Sequence, residues 1–414
     1  MLKGARRRAP AKMIHRAETI DLLWRLVGTD SVNPSLVPGG RGEAQAALLV
    51  RDWLRERGVA ADLQQAVAPR QLRSAPQFAP GTQGGAEDRP NVVATVGPAE
   101  ALRPALLIVA HLDTVGAGDM PDPFSPRERD GRLYGRGALD IKSGVAAMCA
   151  AAVSLVRDGA ALARPFVIAA VVDEECNSIG TEALLKQCIA DAAVVIEPTD
   201  LRVCIAHKGY AWMEIVTRGR AAHGSMPGEG RDAIRMMGRV LGALDQLEQE
   251  IASRPPHPLL GRGSLHASLI SGGHELSSYP AECRLQIERR TLPGETDDAI
   301  KAEVDALLSR LRERGGDFRA ESQLMSSRPP YAIDRGSEIA QAVAGASRDV
   351  IGRCEFFGMP VWTDTALLGA GGIPGVVFGP AGRGLHGADE YVELESVMQC
   401  AEILRETILH RCAC

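Results

Sequence analysis

The chain has 414 residues, 45% of them hydrophobic, and a formal net charge of -5 at pH 7. This length exceeds what one hydrophobic core usually organises, so we expect two domains. The mixed charges exclude a typical nucleic-acid-binding protein, because phosphate neutralisation needs a concentrated basic face and the sequence has none. The expected partner is a small molecule.

The N-terminus and the cysteines bear on the cellular compartment. The segment "MLKGARRRAPAKM" is basic, but no apolar run of the kind found in signal peptides follows it. We interpret it as a solvated tail or as sequence upstream of a start at Met13, with a mitochondrial presequence as the alternative. The nine cysteines form no CxxC pair, which predicts reduced thiols in a cytoplasmic protein. We also expect no stretch as long and apolar as a membrane span.

The first 208 residues are predicted to form an α/β domain. Helix is expected over 17–58, interrupted by "DSVNPSLVPGGRG". Four apolar strands then alternate with the helices "SGVAAMCAAAVSLVRDG" and "GTEALLKQCIAD"; the strands are "NVVATVG", "ALLIVA", "PFVIAAVV" and "AAVVIEP". Such nearly continuous apolar strands are typical of a mostly parallel or mixed sheet sandwiched by helices. Ligands of such sheets bind at the carboxyl ends of the strands.

The pattern changes over residues 209–323. Strand, long helix, two strands, helix and strand follow in the order β-α-β-β-α-β, which predicts an inserted ferredoxin-like α+β domain. Residues 324–414 return to the first pattern, with the helix "GSEIAQAVAGASRDVIG", the strand "PGVVFGP" and a closing helix from about 393 to 410. We therefore predict a catalytic metal-binding domain formed by 1–208 and 324–414.

Polar side chains suited to metal binding lie at the ends of the predicted strands or in the loops after them. They are His111, Asp113, Asp140, Glu174, Glu175, Glu197 and His386. Burying several carboxylates together is costly unless cations neutralise them. Two histidines among the carboxylates favour a transition metal, and zinc accepts nitrogen and oxygen ligands. The alternative is that each residue is separately solvated, which the shared position at strand ends disfavours.

Two short motifs suggest how such a site is built. In His111-Leu112-Asp113, a metal-binding histidine needs an acceptor for its second ring nitrogen, and Asp113 is predicted to fix its tautomer. Glu174 and Glu175 are adjacent, so on an extended strand their side chains point to opposite sides. One would bind metal while the other faces the substrate as a general base.

The residues resemble the dinuclear zinc amidohydrolases and exopeptidases that include acetylornithine deacetylase, succinyl-diaminopimelate desuccinylase, aminoacylase and the glutamate carboxypeptidases. The resemblance runs in order through nearly the whole chain, in "AHLDTV", "GRGALDIKSGVAA", "DEE", "IEPT", "GRAAHGSMPGEGRDAI", "ERRTLPGET" and "HGADEYV". It implies that Asp140 bridges two Zn²⁺ ions, with Co²⁺ as a possible substitute, and that its peptide bond to Ile141 is cis. His111 and Glu197 would complete one zinc site, and Glu175 and His386 the other.

The resemblance also implies roles for residues that do not bind metal. Glu174 would act as the general base, and Asp113 would support catalysis from behind His111. His223 would reach the active site of the partner subunit in a homodimer, where it stabilises the oxyanion. The inserted domain would then serve as lid and dimerisation domain. Arg290 would grip the substrate carboxylate, for which a bidentate guanidinium is well suited.

Several positions depart from the family pattern or leave substrate contacts open. Ser277 stands where an asparagine is expected, Glu288 replaces an aspartate, and Ser143 replaces a glycine. These departures put substrate contacts in doubt rather than the metals, and Arg289 competes with Arg290 for the carboxylate. The loop "GPAGRGLHG" lacks the Lys-Ser/Thr ending of a phosphate loop. We expect its amides, assisted by Arg383, to approach the substrate carboxylate.

The sequence therefore predicts a metal-dependent hydrolase that cleaves the amide bond of an N-acyl amino acid, of the deacetylase or desuccinylase type. Two cations sharing a water generate a metal-bridging hydroxide, and Glu174 takes the proton and delivers it to the leaving amine. A dipeptidase or glutamate-carboxypeptidase-like exopeptidase is the alternative, and an N-carbamoyl amidohydrolase is less favoured. A metal-free binding protein is disfavoured because all five proposed ligands and Glu174 are present.

Overall fold

The computed structural model describes residues 14–66, 89–98 and 103–413, so the basic N-terminal segment lies outside the described residues. The chain divides into two compact units. The larger comprises Met1–Ile205, Ile333–Phe357 and Thr363–Cys414, and the smaller comprises Ala206–Ala332 and Gly358–Trp362. The domain boundaries at 208/209 and 323/324 stay a prediction.

The larger unit is built on a mixed sheet with strand order β1-β2-β6-β3-β7-β15-β8. These strands are β1 (Ala61–Gln65), β2 (Pro90–Val96), β3 (Leu106–His111), β6 (Phe166–Val171), β7 (Ala193–Val195), β8 (Val203–His207) and β15 (Gly375–Val377). The central strands β6, β3, β7 and β15 run parallel, and β1, β2 and β8 add antiparallel pairs at the sides. The predicted fold class is confirmed.

Strand β3 shows why nearly every residue of the central strands is apolar. Leu106 and Ile108 join one hydrophobic core, whereas Leu107 and Val109 join a second core. Side chains alternate across a strand, so cores on both sides require apolar residues at every position. The helices of this unit are α1 (Arg16–Val27), α2 (Ala44–Arg55), α3 (Ser143–Arg157), α4 (Ile179–Leu185), α7 (Glu338–Ile351), α8 (Thr365–Ala370) and α9 (Leu394–Cys412).

Helix α3 and the turn before it correct one expectation from the sequence. Among the described residues, Ala138–Arg157 is long and apolar enough to cross a membrane, although no such stretch was predicted. Of its most apolar window, 89% is buried inside the protein. Small side chains such as Ala146, Ala147 and Ala151 let the helix pack in the first core. This is the environment of a core helix.

A small antiparallel sheet in the larger unit was not predicted. Its strand order is β16-β17-β5-β4, formed by β4 (Arg127–Arg129), β5 (Arg132–Tyr134), β16 (Gly382–Arg383) and β17 (Tyr391–Glu393). Strands of two or three residues carry no readable periodicity. Tyr391 pairs with Tyr134, so the sheet ties the segment leading to Asp140 to the β16–β17 loop that contains His386.

The smaller unit is a four-stranded antiparallel sheet, β10-β11-β9-β12, packed against two helices. In chain order its elements are β9 (Gly209–Arg218), α5 (Ala233–Ser253), β10 (Ser264–Gly272), β11 (Glu282–Thr291), α6 (Asp297–Glu313) and β12 (Ala320–Arg328), the expected β-α-β-β-α-β order. Met213 and Ile215 of β9 pack in the helix-covered core. β13 (Tyr331–Ala332) pairs with the end of β8, and β14 (Phe356–Met359) also pairs with β8.

Candidate metal centre

The carboxyl ends of three parallel strands bring the first candidate ligands together. His111 ends β3, and Glu175 and Glu197 follow the neighbouring strands β6 and β7. The Nε2 atom of His111 lies 3.3 Å from Oδ1 of Asp140 and 3.9 Å from Oε1 of Glu197. Topology alone thus accounts for the convergence of side chains that lie far apart in the sequence.

Asp140 is shared by two groups of side chains that could each hold a metal ion. One group is His111, Asp140 and Glu197, and the other is Asp140, Glu175 and His386. Within each group the ligand atoms lie within 4.8 Å of one another. Asp140 presents Oδ1 to His111 and Oδ2 to His386, each at 3.3 Å, and its peptide bond to Ile141 is cis. All five residues predicted as ligands lie in these two groups.

The electrostatics of this cluster fit a cation site. Burial raises the pKa of the Glu174, Glu175 and Glu197 carboxyls above the usual range, and the charge of Glu197 adds to the rise at Glu174. Hydrogen bonds to Asp140 and Glu175 raise the pKa of His386 to about 10. Without cations, the histidines must hold protons among crowded carboxylates. Imidazole nitrogens and carboxylate oxygens together are ligands of divalent transition metals.

Comparison with known proteins identifies the family. Residues 107–410 match the family described as Peptidase family M20/M25/M40. The chain belongs to this family. The M20 enzymes are hydrolases of amide bonds, and the metal-ligand groups described above fit a metallopeptidase.

Solved structures show the same fold at low sequence identity. A tripeptidase from Staphylococcus aureus is 19% identical with a TM-score of 0.74, and the match covers 96% of this chain and 98% of that one. A dinuclear metal-binding M20 peptidase, YXEP, from Bacillus subtilis is 16% identical with a TM-score of 0.69, covering 95% and 97%. The dipeptidase Dug1p from Saccharomyces cerevisiae is 14% identical with a TM-score of 0.70, covering 96% of both chains.

In this M20 chain, His111 is oriented by main chain rather than by the predicted carboxylate. Its Nδ1 atom lies 2.9 Å from the main-chain oxygen of Asp113, whereas the Asp113 carboxylate is 3.6 Å away. A carbonyl oxygen only accepts, so Nδ1 carries a hydrogen, and Nε2, which faces Asp140, is the nitrogen left to bind a metal ion. The tautomer is the one that a metal-binding histidine needs.

The acid pair of the M20 chain lies in a turn, not at the end of an extended strand as predicted. Strand β6 ends at Val171, and Asp173 has a φ of +67°, which non-glycine residues adopt infrequently. The Asp173 carbonyl accepts the N–H groups of Asn177 and Ser178 at 3.0 and 2.6 Å. Turn geometry rather than strand alternation therefore directs the two glutamates. In the same turn, burial raises the pKa of the Cys176 thiol to about 12, which disfavours a nucleophilic role.

A buried ion pair that sequence reasoning missed supports the second ligand group. The Glu390 carboxylate accepts the N–H groups of Leu139 and Asp140 at 2.9 and 3.2 Å. It also pairs with the Arg136 guanidinium at 2.6 Å, and Arg136 donates to the His386 carbonyl at 3.3 Å. This pair joins the backbone of two candidate ligands, Asp140 and His386. The only sequence signals are an acid four residues after His386 and an arginine between two glycines.

The predicted substrate-binding residues have separate surroundings. In the smaller unit, β11 alternation buries Arg289 against Glu295, while Arg290 lies on the other face beside Glu288 and the Tyr210 ring. Of these two arginines, Arg290 is therefore the one left partly exposed.

The other predicted residues are mostly exposed. His223 is exposed with Nδ1 2.7 Å from Ser225 Oγ, and Ser277 is also exposed. In the larger unit, Arg383 is 67% exposed and pairs with Asp200 at 2.9 Å. Ser143, where the resemblance led us to expect glycine, is buried, and its hydroxyl donates to the Leu139 carbonyl at 3.2 Å.

Proposed function

We propose that the protein is a dinuclear zinc hydrolase that cleaves the amide bond of an N-acyl amino acid, with Glu174 as general base. The observation that carries the proposal is the sharing of Asp140 between two three-residue groups of metal-binding side chains. When bound, two divalent cations would lower the pKa of a shared water and polarise the amide carbonyl. The mixed nitrogen and oxygen donors support zinc, with cobalt as a substitute.

Glu174 is suited to moving the proton. Glu174 is partly buried near Glu197, and desolvation together with the charge of Glu197 raises the pKa of its carboxyl. A carboxylate with a raised pKa is a stronger base than an ordinary glutamate, so it accepts a proton from water more readily and can still return it to a leaving group. We assign it both steps, first accepting the proton from the attacking water and then donating it to the leaving amine nitrogen.

Four residues outside the metal-ligand groups are proposed to contact the substrate. Arg290 would bind the substrate carboxylate through its guanidinium, while His223 would stabilise the oxyanion in the partner's site. Ser277, and Arg383 of the larger unit, are proposed to line the substrate.

A homodimer is supported by the edge strand β10 of the smaller unit. Its residues Leu269 and Ile270 are 66% and 57% exposed, and the nearby Leu276 is fully exposed. An edge strand with unpaired backbone and exposed apolar side chains is a template for pairing with a second copy. We place the protein in the cytoplasm, in keeping with the eight described cysteines being free thiols.

A second function is favoured by the structural neighbours. These neighbours include a tripeptidase and dipeptidases, so an exopeptidase acting on short peptides is the alternative. Both reactions release an amine and a carboxylate from a linear amide. They differ only in whether the acyl part is a simple acid or an amino acid.

One assay distinguishes these reactions. The zinc-loaded full chain is tested against N-acetyl, N-formyl and N-succinyl amino acids and against di- and tripeptides, each with and without a chelator. The proposal predicts chelator-sensitive hydrolysis with the highest kcat/KM on an N-acyl amino acid. A higher kcat/KM on peptides would support the exopeptidase instead. Failure to hydrolyse any of these amides with zinc bound would overturn both.

A further inference from the structure

Five buried polar side chains form a cluster behind the acid pair, which we call the support cluster. Its members are Asn33, Glu43, Arg89, Asp113 and Asp173, each between 0 and 6% exposed. Three carboxylates therefore share one guanidinium away from solvent. Buried carboxylates without partners are strongly destabilising, so the contacts of Arg89 decide whether this arrangement can exist.

The planar guanidinium of Arg89 contacts four side chains at once. Its Nε donates to Glu43 at 2.9 Å, its Nη1 lies 3.0 Å from Oδ1 of Asp173, and its Nη2 donates to the Asn33 side-chain oxygen at 3.2 Å. Nη1 also donates to Ser35 Oγ at 2.9 Å. Lysine has a single charged nitrogen on a flexible stem and cannot span these partners in one plane.

The side chain of Asn33 links the Arg89 guanidinium to the Asp113 carboxylate by hydrogen bonds. Its side-chain nitrogen donates to Oδ2 of Asp113 at 2.7 Å and to Oδ1 of Asp173 at 3.0 Å. Its side-chain oxygen, held by Arg89, also accepts the N–H of Ser35 at 2.8 Å. The amide therefore has one orientation that satisfies every contact, with nitrogen toward the carboxylates and oxygen toward the guanidinium.

Asp113 connects the support cluster to the acid pair. Its two carboxylate oxygens accept the N–H groups of Glu174 and Glu175, each at 3.1 Å. We propose that Arg89 is a positioning residue for Glu174 and Glu175, acting through Asn33 and Asp113. It touches neither the candidate ligands nor the proposed base. The inference rests on the proposed function for its effect on turnover.

The test compares Arg89→Lys, which keeps the charge and loses the planar fork, with the wild-type holoenzyme. At equal Co²⁺ content, we expect kcat to fall about tenfold to 100-fold with KM changed less than about twofold, because misplacing a catalytic group lowers turnover. The visible absorption of bound Co²⁺ should also shift, since Glu175 belongs to a candidate ligand group. Asn33→Ser breaks the same chain of contacts without changing the charge of the support cluster, and should act in the same direction if Arg89→Lys does not fold.

The matched control is Arg405→Lys. Arg405 is 11% exposed and pairs with Asp158 at 2.8 Å, away from the support cluster. This variant should lower Tm without changing kcat or the Co²⁺ spectrum. The proposal is overturned if Arg89→Lys and Asn33→Ser keep the wild-type kcat and spectrum, or if the control changes both as strongly. A wild-type protein without amidase activity would refute the proposed function, while the spectrum still reports on the positioning of Glu175.

Discussion

Asp113 and Glu174 are joined by a hydrogen bond of 3.1 Å from the Glu174 main-chain N–H to the Asp113 carboxylate. Asp113 follows β3 and Glu174 follows the neighbouring β6. The main-chain oxygen of the same aspartate holds the ring of His111. One residue thus fixes a candidate ligand with its backbone and the proposed base with its side chain.

Asp113→Asn tests this relationship. An amide nitrogen at 113 would face either the Glu174 N–H or both the Asn33 amide and the Glu175 N–H, so at least one buried donor loses its acceptor at about 1–3 kcal/mol. We expect kcat to fall about tenfold to 100-fold, as is common for groups that support metal ligands. Steady-state kinetics on zinc-loaded protein measure this. The exposed Asp119→Asn is the control, and equal kcat in the two variants would contradict the assignment.

Glu174→Gln separates proton transfer from metal binding. Glu174 is outside both ligand groups, so the variant should bind as much zinc as the wild type. Its kcat should fall at least about 100-fold, because glutamine cannot accept the proton. Metal analysis and kinetics on the same sample give both values, with the exposed Glu128→Gln as control. An active Glu174→Gln enzyme would refute the base assignment.

Glu390→Gln should weaken the ligand group that contains His386. The variant leaves the Arg136 guanidinium, 2% exposed, without its charged partner, and breaking such a pair costs about 3–5 kcal/mol. The Asp140 backbone also loses a charged acceptor. We expect zinc affinity at one of the two groups to fall about tenfold to 100-fold in competition titrations. The control is Glu393→Gln, at an exposed position, which should leave the zinc affinities of both groups unchanged. Unchanged zinc affinities in Glu390→Gln would show that the Arg136–Glu390 pair does not support the site.

The buried imidazole of His207, the last residue of β8, predicts that the stability of the protein depends on pH. Burial lowers the pKa of its imidazole from 6.5 to about 4. The unfolded chain therefore binds the proton first, so stability present above pH 6.5 is lost as the pH falls toward 4. The loss amounts to about 3 kcal/mol.

His207→Gln should remove this contribution, so the free energy of unfolding should change less between pH 7 and pH 4 than in the wild type. Urea unfolding at the two pH values measures it. His266→Gln, whose side chain is 57% exposed, should keep the wild-type pH dependence. The prediction fails if both variants lose as much stability as the wild type.

The sequence was informative where local pattern and topology coincide. His111 ends an apolar strand and Glu197 follows another, so parallel pairing alone predicts that they meet. The sequence was uninformative where the orientation of a side chain depends on which atom of a neighbouring residue contacts it. The ring of His111 is held by the main-chain oxygen of Asp113, and residue identity does not distinguish that oxygen from the carboxylate.

The hydrogen bonds and ion pairs that support the site could not be predicted from the sequence, for a different reason. Arg136 and Glu390 are 254 positions apart and are brought together by strands of two or three residues, too short to show a period. Arg89 and Asn33 precede the recognisable motifs and carry no metal-binding chemistry of their own. Their roles follow only from the hydrogen bonds that the folded chain makes.

The most direct test of the account is a zinc titration of the chelator-stripped full chain, followed by calorimetry and metal analysis. Because Asp140 belongs to both ligand groups, the account predicts two zinc ions bound per chain. Binding of one ion or none by the folded protein would contradict it.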